Sequence, residues 1–133
     1  MCCVIKHTLS SLRQRTQAVH AEMAALLPVL LGREPLLPVY LRYQPRTCGN
    51  PGCTCARGEL HPAWIVQYSV EGRRTSRSVP KARFAALQNS AEAYRRFRAA
   101  RAAWNRLVRE ANALLKEIEP WRSVQAEEAI GKR

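Results

Sequence analysis

Three cysteines and a histidine lie within fourteen residues near the middle of the chain. Their spacing is Cys48-x4-Cys53-x-Cys55-x5-His61, and glycines and prolines between and beside them allow a tight loop. Thiolates and imidazoles are the ligands that zinc prefers, and three thiolates with one imidazole complete a tetrahedral Cys3His shell. Because such a shell leaves no open coordination position, the loop predicts a structural Zn2+ site rather than a catalytic one.

Two other interpretations of this loop stay open. Its spacing differs from the common C-x2-C pair, so it also fits a glycine-rich loop of reduced thiols or a redox-active cysteine. The chain has five cysteines, and its N-terminus lacks the apolar segment of a signal peptide. We therefore predict a cytoplasmic protein, in which clustered cysteines are more often metal ligands than disulfides. Cys2 and Cys3 are given no role.

Basic residues dominate the composition. The chain has 22 lysines and arginines, ten acidic residues and a formal net charge of +12, and its span 57–109 holds twelve basic residues against three acidic ones. Such a surplus attracts polyanions, so we predict a nucleic-acid partner, with DNA favoured over RNA, and a nucleoid-associated location. The predicted contact residues are Arg57, Arg73, Arg74, Arg77, Lys81, Arg83, Arg95, Arg98, Arg106 and Arg109.

Four of these arginines share one side of a long predicted helix. They are Arg95, Arg98, Arg106 and Arg109, and at about 100° per residue they span about 80°. A one-sided arginine stripe suits a helix that lies against a phosphate backbone. It equally suits the solvated face of a coiled coil.

A predicted β-hairpin turns at Glu71-Gly72. Its predicted pairs are Val70 with Arg73, Tyr68 with Thr75, Val66 with Arg77 and Trp64 with Val79. One face then carries aromatic and apolar side chains with Arg73 and Arg77, and the other carries Arg74 among serines. Such a ribbon can enter a major groove, where arginines contact guanine. Alternatively the aromatic face packs on the long helix with its arginines reaching outward, and the two interpretations are compatible.

Together these elements predict an α+β fold. We expect a helix over 8–31, the metal loop and a hairpin of two or three antiparallel strands over 39–79, a long helix over 80–119 that Pro120 ends, and a mobile tail over 120–133. All four segments are assigned to a single domain, 1–133. The two helices would form a coiled-coil-like stem, with the zinc loop and hairpin between them.

Heptad-like seams support that stem. The first helix has its seam at Leu9, Leu12, Thr16, Val19, Met23, Leu26 and Leu30. The second has Phe84, Leu87, Ala91, Tyr94, Phe97, Arg101, Trp104, Val108, Ala111, Leu115 and Ile118. Because the first helix is too short to cover the second, the leftover seam predicts a homodimer.

The loop and hairpin also resemble an uncharacterised bacterial and phage family. Its pattern is a C-G-x-P-x-C-x-C-x-x-G-x-x-H loop, an aromatic strand, an acidic-Gly turn and a long Tyr-Arg-Arg-Phe helix, matched here over about 46–119, with the final motif at 94–97. The family follows its histidine with Gly-Pro, whereas this chain has His61-Pro62-Ala63, which predicts a different turn. The resemblance implies a domain of unknown function found near transposases and recombinases, and hence a recombinase or transposase partner.

The leading hypothesis is therefore a non-enzymatic, zinc-stabilised nucleic-acid-binding accessory protein of a mobile element. The alternative is a coiled-coil adaptor for protein interactions, whose charge is incidental. The sequence shows no nucleophile paired with a base and no phosphate-cradling glycine loop, so we predict no enzymatic activity. No apolar stretch approaches the roughly 20 residues that span a bilayer, and the apolar seam of the long helix is too heptad-like to prefer a membrane surface, so we predict no membrane partner.

Overall fold

The computed structural model describes residues 8–133 and confirms the predicted α+β class. In chain order the elements are α1 (Leu9–Leu30), β1 (Tyr40–Tyr43), a short 3-10 helix (Thr54–Arg57), β2 (Trp64–Val70), β3 (Arg73–Val79), α2 (Lys81–Arg122) and α3 (Ala126–Ile130). The predictions about Cys2, Cys3 and a missing signal peptide concern residues 1–7, which lie outside the described part. Within 8–133, no helix combines the length and apolar character needed to cross a membrane.

The chain divides into two compact units. Among the described residues, one unit comprises the part up to Gly32 with Ala99–Arg133, and the other comprises Arg33–Arg98. The predicted single domain over 1–133 stays a prediction, and each unit is described by itself below.

Helix α1 belongs to the first unit, and its predicted seam is confirmed. Thr8 caps the helix by accepting a hydrogen bond from the Ser11 N–H at 3.1 Å. All seven predicted seam residues are buried or half-buried, and Leu12 and Val19 are the most buried of them. Thr16 is the polar residue of the seam. Its hydroxyl donates to the Leu12 carbonyl at 2.7 Å, so the hydroxyl has a hydrogen-bond partner within the helix.

The predicted seam of α2 is wrong at two positions of its second half, whereas Trp104, Val108 and Ala111 are half-buried and Ile118 is 9% exposed, as predicted. Ala100 and Leu107 are buried there, whereas Arg101 is exposed and Leu115 is 54% exposed. Ala100 and Leu107 lie one heptad apart, so the buried stripe also includes a register one residue earlier than the predicted one. This register keeps the Arg101 guanidinium in water, which avoids the cost of burying an unpaired charge. An ion pair between Arg15 of α1 and Glu110 of α2, at 2.6 Å, joins the two helices within this unit.

Pro120 does not end α2 as predicted. The helix continues to Arg122, and the Ser123 N–H still donates to the Glu119 carbonyl at 3.0 Å. A proline so near a helix end removes one backbone hydrogen bond without interrupting a long ladder, which explains its tolerance. The predicted tail contains α3, and its mobility stays a prediction.

The second unit contains a three-stranded antiparallel sheet in the order β1-β2-β3. All four predicted hairpin pairs are confirmed, from Val70 with Arg73 to Trp64 with Val79. Glu71 and Gly72 both have positive φ, at 50° and 79°, which is the two-residue turn that matches the twist of a hairpin.

The aromatic face of this sheet packs on the start of α2, as one interpretation predicted. The Trp64 ring lies 4.9 Å from that of Phe84 and 4.5 Å from that of Tyr43 on β1. On the opposite face Arg74, Ser76 and Ser78 are exposed, whereas Ile65 is only 2% exposed. Arg42 lies directly opposite Ile65 and its Nε is buried, so its aliphatic stem shields this part of the central strand.

Candidate functional site

The sheet holds both ends of the cysteine-rich loop. Arg46 and His61 form an antiparallel bridge, with N–H to carbonyl distances of 2.9 and 2.8 Å, and the Gln44 N–H donates to the Ala63 carbonyl at 2.8 Å. These bonds continue the pairing of β1 with β2 beyond the strands. Residues 47–60, called the ligand loop here, therefore begin and end at one fixed point, with the first and last metal-ligand candidates beside it.

Two local structures shape the ligand loop. The Asn50 side chain accepts from the Gly52 N–H at 3.0 Å, and its carbonyl accepts from the Cys53 N–H at 3.1 Å, which closes a turn. A single 3-10 turn follows, and Gly58 ends it with φ of 105°. These turns bring Cys53 and Cys55 back to face the start of the loop.

The four predicted ligands are brought together. Their ligand atoms all lie within 4.8 Å of one another. Cys48 Sγ lies 3.4 Å from Cys55 Sγ, and Cys53 Sγ lies 3.2 Å from His61 Nε2. Around a tetrahedral zinc ion the ligand atoms would be separated by about 3.5–3.8 Å, from Zn–S and Zn–N bonds of about 2.3 and 2.0 Å. Cys48, Cys53, Cys55 and His61 therefore fit one four-coordinate ion.

Hydrogen bonds within the cluster shift the pKa values of the candidate ligands. The pKa of Cys53 is lowered to about 6. The largest cause is a hydrogen bond from the Cys55 N–H, and hydrogen bonds with the side chains of Cys55, His61 and Cys48 add to it. The Asn50 N–H and then the Cys55 thiol lower the pKa of Cys48. A hydrogen bond with the Cys48 side chain, and a smaller contribution from one with Cys53, raise the pKa of His61. A thiolate at Cys53 is therefore present at neutral pH, which favours metal uptake.

Cys55 has a different environment. It is 2% exposed, and its sulfur accepts the Cys48 N–H at 3.3 Å. That N–H lowers the pKa of Cys55, but burial and the neighbouring thiols outweigh it and raise the pKa overall. A metal cation would offset the effects of burial and of the neighbouring thiols, because it stabilises the buried thiolate directly.

The predicted nucleic-acid contacts are all exposed. Eight of the ten belong to the Arg33–Arg98 unit, and Arg106 and Arg109 belong to the other. Arg33–Arg98 holds twelve basic and four acidic residues, so it carries eight of the twelve net positive charges. The charge is thus concentrated in the unit that also contains the ligand loop and the sheet.

Several of these cations already have partners. Arg95 pairs with Glu92 at 2.5 Å, and Arg98 lies 5.8 Å from the Tyr94 ring centre and donates to its hydroxyl at 3.0 Å. The Lys81 ammonium lies 5.9 Å from the Trp64 ring centre. Within residues 8–133, no ion pair forms at the remaining predicted cations of this unit, which are Arg57, Arg73, Arg74, Arg77 and Arg83.

A groove between the sheet and the start of α2 was not predicted from the sequence. The Leu37 N–H donates to the Ser90 carbonyl at 3.1 Å, and this bond fixes the segment before β1 against the helix. The resulting groove has a volume of about 510 Å³. The sequence signal for this groove was the pair of apolar residues Leu37 and Val39 in a proline-flanked linker. Apolar side chains in a linker usually pack against another part of the protein.

The family described as "Domain of unknown function (DUF6788)" matches residues 9–88. The chain belongs to this family. The match includes α1, the ligand loop, the sheet and the first residues of α2, whereas the resemblance predicted a span of about 46–119. No curated protein and no solved structure is significantly similar to the chain. Membership of an uncharacterised family is confirmed.

Proposed function

We propose that this protein is a non-enzymatic, zinc-stabilised nucleic-acid-binding protein, with DNA favoured over RNA. The observation that carries the proposal is the concentration of eight of the twelve net positive charges in Arg33–Arg98. Phosphate contacts by arginine and lysine dominate the affinity of such proteins. A compact unit with this surplus binds a polyanion at low salt.

Zinc has a structural role in this proposal. Three cysteines and one histidine are its preferred closed shell, and soft thiolates select it over magnesium or calcium. The ion would tie the 3-10 helix, which carries Arg57, to the start of the loop at Cys48 and to the sheet at His61. It would supply no chemistry beyond this link.

The hairpin is the main contact element. On β3, Arg73 and Arg77 share the face of Tyr68 and Val66, while Arg74 lies on the other face opposite Ser69. All three arginines are exposed and none forms an ion pair within the described residues. An arginine without a carboxylate partner keeps its donors available for phosphates.

The net positive charge adds a nucleoid location to the proposal, and the resemblance extends it to an accessory role for a transposase or recombinase. The accessory role rests on the association of the resembled family with mobile elements.

Removal of the hairpin charge tests the proposal. The triple variant R73A/R74A/R77A should bind a duplex more weakly and with a shallower salt dependence, by about 0.9 in log–log slope for each phosphate that an arginine no longer neutralises. With three phosphates no longer neutralised, the loss of affinity between 50 and 200 mM salt should be roughly fortyfold smaller in the variant than in the unchanged protein. Fluorescence anisotropy over that range measures both quantities.

A matched control uses arginines from outside this unit. R13A/R122A/R133A removes the same charge, and because these arginines lie in the other unit it should keep most of the slope. An equal reduction of slope in both triple variants would mean that net charge alone, not the hairpin, determines binding.

Exposed apolar residues near the end of α2 favour a second function, a coiled-coil adaptor that forms a homodimer. Leu115 is 54% exposed and Trp121 is 57% exposed. Under this proposal, light scattering after size-exclusion chromatography gives a dimer, and L115K/W121K gives a monomer. A monomer before substitution would contradict it.

A further inference from the structure

The groove beside the hairpin combines an apolar interior with basic edges. It lies within the Arg33–Arg98 unit and has a volume of about 510 Å³, which falls in the range of about 300–1,000 Å³ for ligand sites. Its walls come from the segment before β1, the aromatic face of the sheet and the first turns of α2. The residues that matter for its chemistry are Tyr68, Arg77, Arg83 and Leu87.

The two arginines set the charge of an occupant. Arg77 of β3 and Arg83 of α2 line the groove from different elements, and both are exposed. Neither forms an ion pair within the part of the chain that the structure describes, and no acidic residue lines the groove. Charge complementarity therefore requires an anionic occupant.

The interior sets the shape of an occupant. Val66 is 5% exposed beneath the groove, and the half-buried Tyr68 and Leu87 line it. A fully hydrated anion would leave these apolar surfaces uncovered. A flat, partly apolar group with an attached phosphate satisfies both the interior and the arginines, because rings stack on aromatic side chains while phosphates stay at the basic edge.

We propose that this groove binds an unpaired nucleotide of a single strand, with its base beside Tyr68 and its phosphates at Arg77 and Arg83. The inference rests on the proposed nucleic-acid-binding function and makes it more specific. A base within a duplex is stacked and paired, so it cannot enter a concave site of this kind without first leaving the helix. The protein therefore prefers single strands or duplexes with an unpaired end.

Paired anisotropy titrations test the preference, using an oligothymidine and a duplex of equal length with the full, zinc-loaded chain. At 200 mM salt, where phosphate contacts weaken, the single strand should bind more tightly. Tyr68→Leu keeps an apolar side chain and removes the ring, so it should weaken single-strand binding about tenfold, within the range for removal of one base stack. Duplex affinity should stay within about twofold, as no base stacks on Tyr68 there.

Tyr40→Leu is the matched control. Tyr40 is 57% exposed and pairs with Gln67, so it lies on the opposite face of the same sheet from Tyr68. This variant should keep the single-strand preference. Equal effects of Tyr68→Leu and Tyr40→Leu would overturn the inference.

The basic edge gives a second comparison. R77Q/R83Q should reduce the ratio of single-strand to duplex affinity, whereas R74Q, on the other face of β3, should weaken both ligands and keep the ratio. A ratio that is the same in both variants would contradict an anionic occupant of the groove.

Photo-crosslinking covers the case in which Tyr68→Leu fails to fold. The unmodified protein is irradiated with a bromouracil-containing single strand, and the adducts are located by mass spectrometry. Adducts on groove residues support the site, and adducts confined to other segments overturn it. A protein that binds duplex normally but shows no single-strand preference refutes this inference alone, whereas a folded protein that binds no nucleic acid refutes the proposed function as well.

Discussion

Replacement of Cys55 by serine should prevent metal binding and disorder the ligand loop. Cys55 is the most enclosed of the four candidate ligands, at 2% exposed, and its sulfur contacts both the Cys48 thiol and the Cys48 N–H. A serine hydroxyl is a poor zinc ligand and its oxygen reaches less far than sulfur. The remaining ligands, two thiolates and His61, leave the shell open.

The expected loss of loop structure follows from a comparison of its conformational entropy with the few hydrogen bonds that stabilise it. Fixing the backbone of fourteen residues, 47–60, costs on the order of 14–28 kcal/mol in conformational entropy. Five N–H groups within the loop find acceptors, which contributes about 5 kcal/mol. Structural zinc contributes about 10–16 kcal/mol in small zinc domains, and this closes the difference. Without the ion this balance leaves the folded loop unfavourable by about 9–23 kcal/mol.

Two measurements check this expectation. Elemental analysis of purified protein should give one zinc per chain, and less than about a tenth of that for Cys55→Ser, because an open shell loses most of its affinity. Limited proteolysis should then cut within 47–60 in the variant alone. Thr54→Ala, an exposed loop substitution that keeps all four ligands, should hold zinc and resist cleavage. Full zinc content in Cys55→Ser, or an equally resistant loop, would refute the reasoning.

The other predictions concern pH and the core of the helical unit. Zinc affinity, measured by competition with a chelating indicator, should fall by tenfold or more between pH 7 and pH 5, because Cys53 with its pKa of about 6 takes up a proton and His61 with its raised pKa becomes cationic. A pH-independent affinity would exclude these ligands. In denaturant unfolding, Leu107→Ala should cost about 2–4 kcal/mol and Leu115→Ala less than about 1 kcal/mol, since their exposures are 9% and 54%. Equal costs would contradict the difference in burial between these two leucines.

The ligand cluster and the hairpin could be predicted because short-range rules determine both. Thiols and an imidazole this close in sequence can reach one ion whatever the rest of the chain does, and the cluster of four ligand atoms confirms it. A two-residue turn fixes the register of every later pair, which is why Val70 with Arg73 led correctly to Trp64 with Val79. The nature of the ion and its ligands in solution stays a prediction.

The seam of α2 could not be fixed from sequence because alanines occupy several sides of the helix around residue 100. With apolar residues at 99, 100, 102 and 103, periodicity alone does not choose between Ala100 and Arg101. The burial of Ile65 and the groove at Tyr68 were missed for a related reason. Both depend on contacts between segments distant in sequence, such as Leu37 with Ser90, and no local pattern encodes them.

The central claim is that this protein binds nucleic acid, and anisotropy with labelled duplex DNA, single-stranded DNA and RNA tests it most directly. The zinc-loaded chain should bind at 50 mM salt and lose affinity steeply towards 200 mM, because phosphate contacts release counterions. DNA should be preferred over RNA. Absence of binding to all three polymers, by protein shown to be folded and metal-loaded, would contradict the account and favour the coiled-coil adaptor.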